Sequence, residues 1–130
     1  MSYNNRPVIE NLVAGDDWII RLTIVDITDD QELTDAWFTV KENIDNVDDD
    51  AVLQKHITAI EVANVGHIED TGSDGTGVVR FNVTKLQTVL FKPYVRYEWD
   101  VQVKTDLGKY NTPRNCRGYL IADPEVTKTT

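Results

Sequence analysis

The sequence predicts an all-β domain: a sandwich of antiparallel sheets with about seven or eight short strands and one short helical connection. Three observations carry that expectation. Hydrophobic periodicity is two, not 3.6, almost wherever it can be read. β-Branched and aromatic residues populate those runs. Clusters of Gly, Asp, Asn and Thr punctuate them at short spacing. A small barrel is the second arrangement such a pattern allows.

The elements follow in order. Gly15-Asp16-Asp17 marks a turn before the first long strand. Over 18–25, Trp18, Ile20, Leu22 and Ile24 are expected to face inward, with Arg21 and Thr23 outward. An acidic turn over 26–35 leads to a strand in which Ala36, Phe38 and Val40 alternate with Trp37, Thr39 and Lys41. A second acidic turn covers 45–50, and 51–57 reads as the next strand. The loop 70–77 carries Gly72, Gly75 and Gly77 and is the most strongly marked; a β-branched run over 78–83 follows it. Thr84 offers a helix N-cap, with Leu86, Val89 and Leu90 at helical spacing. Lys92-Pro93 ends that turn, because the residue before proline disfavours the α region. The cleanest alternation comes next: Val95, Tyr97, Trp99, Val101 and Val103 against Arg96, Glu98, Asp100, Gln102 and Lys104. That is the pattern of a half-buried antiparallel strand. Thr105 to Gly108 closes a hairpin onto 109–121, where Tyr119 to Ile121 is a further strand signal.

Composition bounds the function. The 130 residues amount to a single domain, 1–130, with contact arms at roughly 1–6 and 124–130. A chain of this length buries roughly two thirds of its unfolded surface and needs no staple. Its one cysteine, Cys116, excludes an intramolecular disulfide and a Cys-based zinc finger. The net charge of −9 argues against wrapping nucleic acid, whose phosphates need a surplus of Lys and Arg. No apolar run approaches the ~20 residues of a membrane span, so no membrane partner is expected. The N-terminus lacks an apolar signal segment, so synthesis and folding in cytosol-like conditions are expected and Asn82-Val83-Thr84 reads as a chance sequon.

Each chemistry-bearing residue has an ordinary structural reading beside a functional one. Asp29, Asp30, Glu32, Asp35, Asp45 and Asp48 to Asp50 supply oxygen ligands of the kind calcium takes. Their spacing fits no calcium loop; in 70–81, Gly72 and Phe81 occupy positions where ligands would be needed. Solvated turns are therefore expected, with no cofactor. His56 and His67 would need a carboxylate such as Glu69 and a nucleophile, Ser2, Ser73 or Cys116. No nucleophile elbow and no phosphate-cradling glycine motif accompanies them, so no enzyme is expected. Lys104, Lys109, Arg114 and Arg117 gather near Tyr110 and Tyr119, which suits a protein contact better than single-stranded nucleic acid. Trp18 and Trp99 fall on inward phases. Trp37 is out of phase with Phe38 and either caps an edge or faces a partner.

The order of these cues resembles a known family. Gly15-Asp16-Asp17-Trp18 opens a long strand, and Leu33-Thr34-Asp35-Ala36 leads into Trp37-Phe38-Thr39-Val40-Lys41. Gly77 to Phe81, then Thr84 with Leu86 and Leu90, precede Tyr94 to Val103, and the chain runs out through Gly118 to Asp123-Pro124-Glu125-Val126-Thr127. From about Leu12 to Thr127 this resembles the immunoglobulin-like β-sandwich domains of tailed-phage virion proteins, such as the N-terminal domain of baseplate upper proteins. The resemblance implies a structural virion protein, an adaptor in the tail, baseplate or fibre-attachment region. Its partners would be other phage virion proteins, in a homo-oligomeric or multi-copy symmetric assembly. Candidate contact residues are Tyr3, Arg6, Pro7, Trp37, Tyr110, Arg114 and Arg117. A capsid decoration protein is the first alternative. A carbohydrate-binding sandwich, with exposed aromatics beside acidic loops, is an alternative of another class.

Overall fold

The computed structural model describes residues 8–25, 27, 31–42, 51–73, 75–113 and 116–124. These form nine strands and one short helix: β1 Val8–Val13, β2 Trp18–Ile24, β3 Leu33–Lys41, β4 Leu53–Thr58, β5 Gly66–Asp70, β6 Gly77–Val83, α1 Lys85–Thr88, β7 Arg96–Thr105, β8 Tyr110–Asn111 and β9 Arg117–Asp123. The fold is all-β. The strands fall into two separate sheets among the described residues, not into one closed barrel. The larger has the order β1-β9-β7-β3-β4, with β8 also paired to β7; the smaller has the order β2-β6-β5.

Alternation in the sequence becomes burial in the structure. In β2, Trp18, Ile20 and Ile24 are buried while Ile19, Arg21 and Thr23 are exposed. In β7, Tyr97, Trp99, Val101 and Val103 are buried. Ala36, Phe38 and Val40 line the inner side of β3. The inner faces of the two sheets share one core. Phe38 of the larger sheet packs on Phe81 of the smaller, ring centroids 5.5 Å apart, and on Trp99 at 6.0 Å. Each such side chain contributes about 1.5–3 kcal/mol by leaving water. The buried indoles keep their N–H groups satisfied: Trp18 Nε1 donates to Val13 O at 2.8 Å and Trp99 Nε1 to Tyr119 O at 2.9 Å. Lys55 carries a charged group into this interior, on the inward phase of β4 and only 7% exposed. Its Nζ donates to Asn64 O at 3.0 Å, and burial pushes its pKa down.

Several expectations need correction. β1 pairs with β9 in parallel, so the larger sheet is not purely antiparallel. A strand is therefore present over Val8–Val13, where the sequence suggested none. β5 is likewise a strand that the sequence does not signal. Leu33 to Asp35 belong to β3, which shortens the acidic turn. Val95 lies outside β7 and is exposed, because the strand begins only at Arg96.

The helical connection has the expected position, over Lys85–Thr88. Thr84 N donates to Gln87 Oε1 at 3.2 Å, and the N–H of Lys85 is taken by Asp17 Oδ1 at 2.7 Å. Thr88 is the buried residue of α1. Its hydroxyl accepts from Gly15 N at 2.9 Å and donates to Asp16 O at 2.7 Å, tying the helix to the β1–β2 turn. That tether turns Leu86, Val89 and Leu90 to solvent.

Candidate contact surface

Register places a polar and aromatic face on the outside of the larger sheet. Trp37 on β3 is opposite His56 on β4 and Gln102 on β7; Thr39 is opposite Gln54 and Asp100. Asp100 in turn pairs with Arg117 on β9, and Lys104 with Tyr110 on β8. Because side chains alternate across a strand, these outward residues share one face while Phe38 and Val101 between them enter the core.

Trp37 and Tyr110, both foreseen as contact residues, come together. The Trp37 indole stacks on His56 at 4.9 Å with an interplanar angle of 8°, and on Tyr110 at 5.9 Å and 28°. β3 is interior to its sheet, so Trp37 caps no edge. The ammonium of Lys104 lies 5.5 Å from the Tyr110 ring centre. Asp35 closes the cluster, its Oδ2 accepting from His56 Nε2 at 2.7 Å. Burial works to raise the Asp35 carboxyl pKa. The hydrogen bonds from His56 and Thr34, with the charges of His56 and Lys104, outweigh it and hold the carboxyl below its ordinary value.

Beside this stack lies an open hollow of about 350 Å³ lined by Trp37, Thr39, Gln54, Asp100 and Gln102. Its short, buried residue is Thr39; Gln54 Nε2 donates to Thr39 Oγ1 at 3.1 Å. His56, Asp35, Gln54, Asp100 and Gln102 were not foreseen as one cluster. Their outward phase was readable, but their neighbours depend on registers spanning distant strands.

The outside of the smaller sheet is charged. Arg21 Nε donates to Glu69 Oε1 at 2.6 Å, Arg80 Nη1 to Glu69 Oε2 at 3.1 Å, and Arg80 Nη2 to Glu61 Oε1 at 2.7 Å. The hydrogen bond from Arg21, against a smaller opposing effect of burial, holds the Glu69 carboxyl below its ordinary range. His67 contacts Arg80: Nη2 donates to His67 Nδ1 at 3.1 Å. Arginine is always a donor, so that imidazole nitrogen is an acceptor. The Glu69–histidine acid–base pair considered above is thus replaced by an arginine-centred network. Cys116 is fully buried, and burial pushes its thiol up to about 11, the reverse of an activated nucleophile.

Arg117 is exposed on β9, beside Asp100 in register. Tyr3, Arg6, Pro7 and Arg114 lie outside the described residues, as do Asp29, Asp30, Asp45 and Asp48 to Asp50. No group of three or more metal-binding side chains occurs among the described residues, and no helix there is long and apolar enough to cross a membrane. A third surface was not anticipated: Leu86 (78% exposed), Val89, Leu90 and Tyr94 (73% exposed) all face solvent along the β6–β7 connection. No protein-family model matches the chain. No curated protein matches it.

Proposed function

We propose that this chain is a non-enzymatic structural protein of a tailed-phage particle, an immunoglobulin-like sandwich that acts as an adaptor in the tail, baseplate or fibre-attachment region. The observation that carries docking is the apolar surface of the β6–β7 connection. Leu86, Val89, Leu90 and Tyr94 are exposed while the helix is fastened from its other side by Thr88. Large apolar side chains gathered on one outer connection mark a contact with another protein. The neighbour would be another virion subunit.

Two features support the immunoglobulin-like reading. The sheet orders β9-β7-β3-β4 and β2-β6-β5, with β1 parallel to β9, suit that architecture. Tyr97, at the start of β7, accepts a hydrogen bond from Lys92 N at 2.8 Å through its hydroxyl. That is the arrangement of a tyrosine corner, a backbone-tethering tyrosine found in such sandwiches.

The test is location and contact in an assembled particle. Particle density and crosslinking are expected to find the chain in the tail, with Leu86, Leu90 and Tyr94 covered by a neighbour. Leu86→Ser combined with Leu90→Ser should abolish incorporation while leaving the purified protein folded. A chain located on the capsid would move the adaptor to a decoration role. A chain that joins no particle component would overturn the reading.

A further inference from the structure

We propose that the hollow over Thr39 on the larger sheet is a binding site for a neutral saccharide, taking one or two sugar rings. The position of the hollow limits the ligand first. β3 and β7, which run beneath it, are both interior strands with partners on either side. Their backbone groups are committed to the ladders, so an added peptide strand has nothing to pair with there. Recognition must come from side chains.

Those side chains suit hydroxyl groups. Gln54 and Gln102 each carry an amide donor and an amide acceptor, and Asp100 is a charged acceptor. A sugar hydroxyl both donates and accepts, so it can satisfy such a mixed lining, and its bond to a carboxylate is among the stronger ones. Gln54 is steadied by its 3.1 Å bond to Thr39 Oγ1. The Trp37 indole bounds the hollow with its edge, since His56 and Tyr110 stack on it from the flanking strands β4 and β8. Its position is fixed before binding by the His56 and Tyr110 stacks, which lowers the ordering cost.

Charge and size point the same way. Asp100 stands in register with Arg117, so the hollow's carboxylate has a cationic neighbour and the site is not strongly anionic. A volume of about 350 Å³ is at the small end of the ~300–1,000 Å³ typical of ligand sites. Saccharide binding here stands independently of the virion reading, since it uses a different face and a different kind of partner.

The experiment screens the intact chain against immobilised maltose-, cellobiose-, lactose- and N-acetylglucosamine-based oligosaccharides, with a Lys/Arg-rich peptide as comparator. Hits are titrated by tryptophan fluorescence. Trp18 and Trp99 are buried with their N–H groups bonded, so a ligand-dependent change reports on Trp37. Binding to at least one neutral oligosaccharide is expected. Gln102→Ala should weaken it about tenfold, the loss of one or two hydrogen bonds, with melting temperature unchanged, and Asp100→Asn should weaken it to a similar degree. Three outcomes would overturn the proposal: no binding to any neutral saccharide, binding indifferent to both substitutions, or preference for the cationic peptide.

Discussion

Replacing Gly66 by alanine tests the closest approach between two strands of the smaller sheet. Gly66 opens β5 opposite Phe81 of β6, with φ at +114°. An added Cβ would sit 2.0 Å from Arg80 O and 3.1 Å from Phe81 Cα, both backbone atoms. Two costs follow. An L-residue held at that φ pays about 1–3 kcal/mol. Relieving the overlap requires β5 and β6 to separate, which sacrifices the 3.0 Å bond from Asn82 N to Val65 O and a neighbouring bond of the β5–β6 ladder, each worth about 1 kcal/mol. The total is about 3–5 kcal/mol. Gly108→Ala is the matched control. Its φ is also positive, at +75°, but nothing lies within 4 Å of the added Cβ, so only the backbone penalty of about 1–2 kcal/mol applies. For 130 residues, about 1 kcal/mol corresponds to about 4 °C in melting temperature. Thermal unfolding should therefore show a loss of about 12–20 °C for Gly66→Ala and about 4–8 °C for Gly108→Ala, with urea midpoints in the same order. Equal losses for the two variants would refute the close approach.

Two further outcomes are expected. Phe38→Ala empties the contact with Phe81 and Trp99 at the centre of the core, and urea unfolding should show a loss of about 3–5 kcal/mol. Asp35 has a carboxyl pKa held below its unfolded value, so its stabilisation is complete above the unfolded pKa near 4 and is lost as pH falls through the folded pKa; Asp35→Asn should flatten the acid limb of stability against pH below about 4, and an unchanged limb would count against the His56 pair.

The strands with strict alternation were legible because burial on one face imposes a period of two over their whole length. β2, β7 and the part of β3 from Ala36 onward are of this kind. β1 and β5 escaped for different reasons. Val8, Ile9, Leu12 and Val13 surround Glu10-Asn11 with neither period, and the strand is defined by parallel pairing with β9, more than a hundred residues away, with a register shift between Ile9 and Leu12. β5 is a short edge strand whose one fully inward apolar side chain is Ile68, too little for periodicity to register. The helical turn was legible in position but not in burial, because spacing says which residues share a face and not which face packs. That choice was made by the Thr88 hydroxyl and the β1–β2 turn. The candidate surface was legible as a phase and illegible as a cluster. Trp37 was out of step with Phe38 in the sequence, but its neighbours His56 and Tyr110 are supplied by strand registers that local sequence does not state.

The same alternation separates stability from binding in this fold. Along β3, Ala36, Phe38 and Val40 hold the strand to the core, while Trp37 and Thr39 between them line the outer hollow. Along β7, Val101 and Val103 do the holding while Asp100 and Gln102 face outward. Gln102 is exposed and contributes nothing to the core, so trimming it should shift stability by no more than about 0.5 kcal/mol. Trp37 differs, because it stacks on two neighbours and its removal would disturb His56 and Tyr110 together. The substitution at Gln102 is therefore the most informative one. A binding loss there cannot be assigned to a collapsed sheet, since the backbone ladders and the inward side chains that position the hollow are left intact.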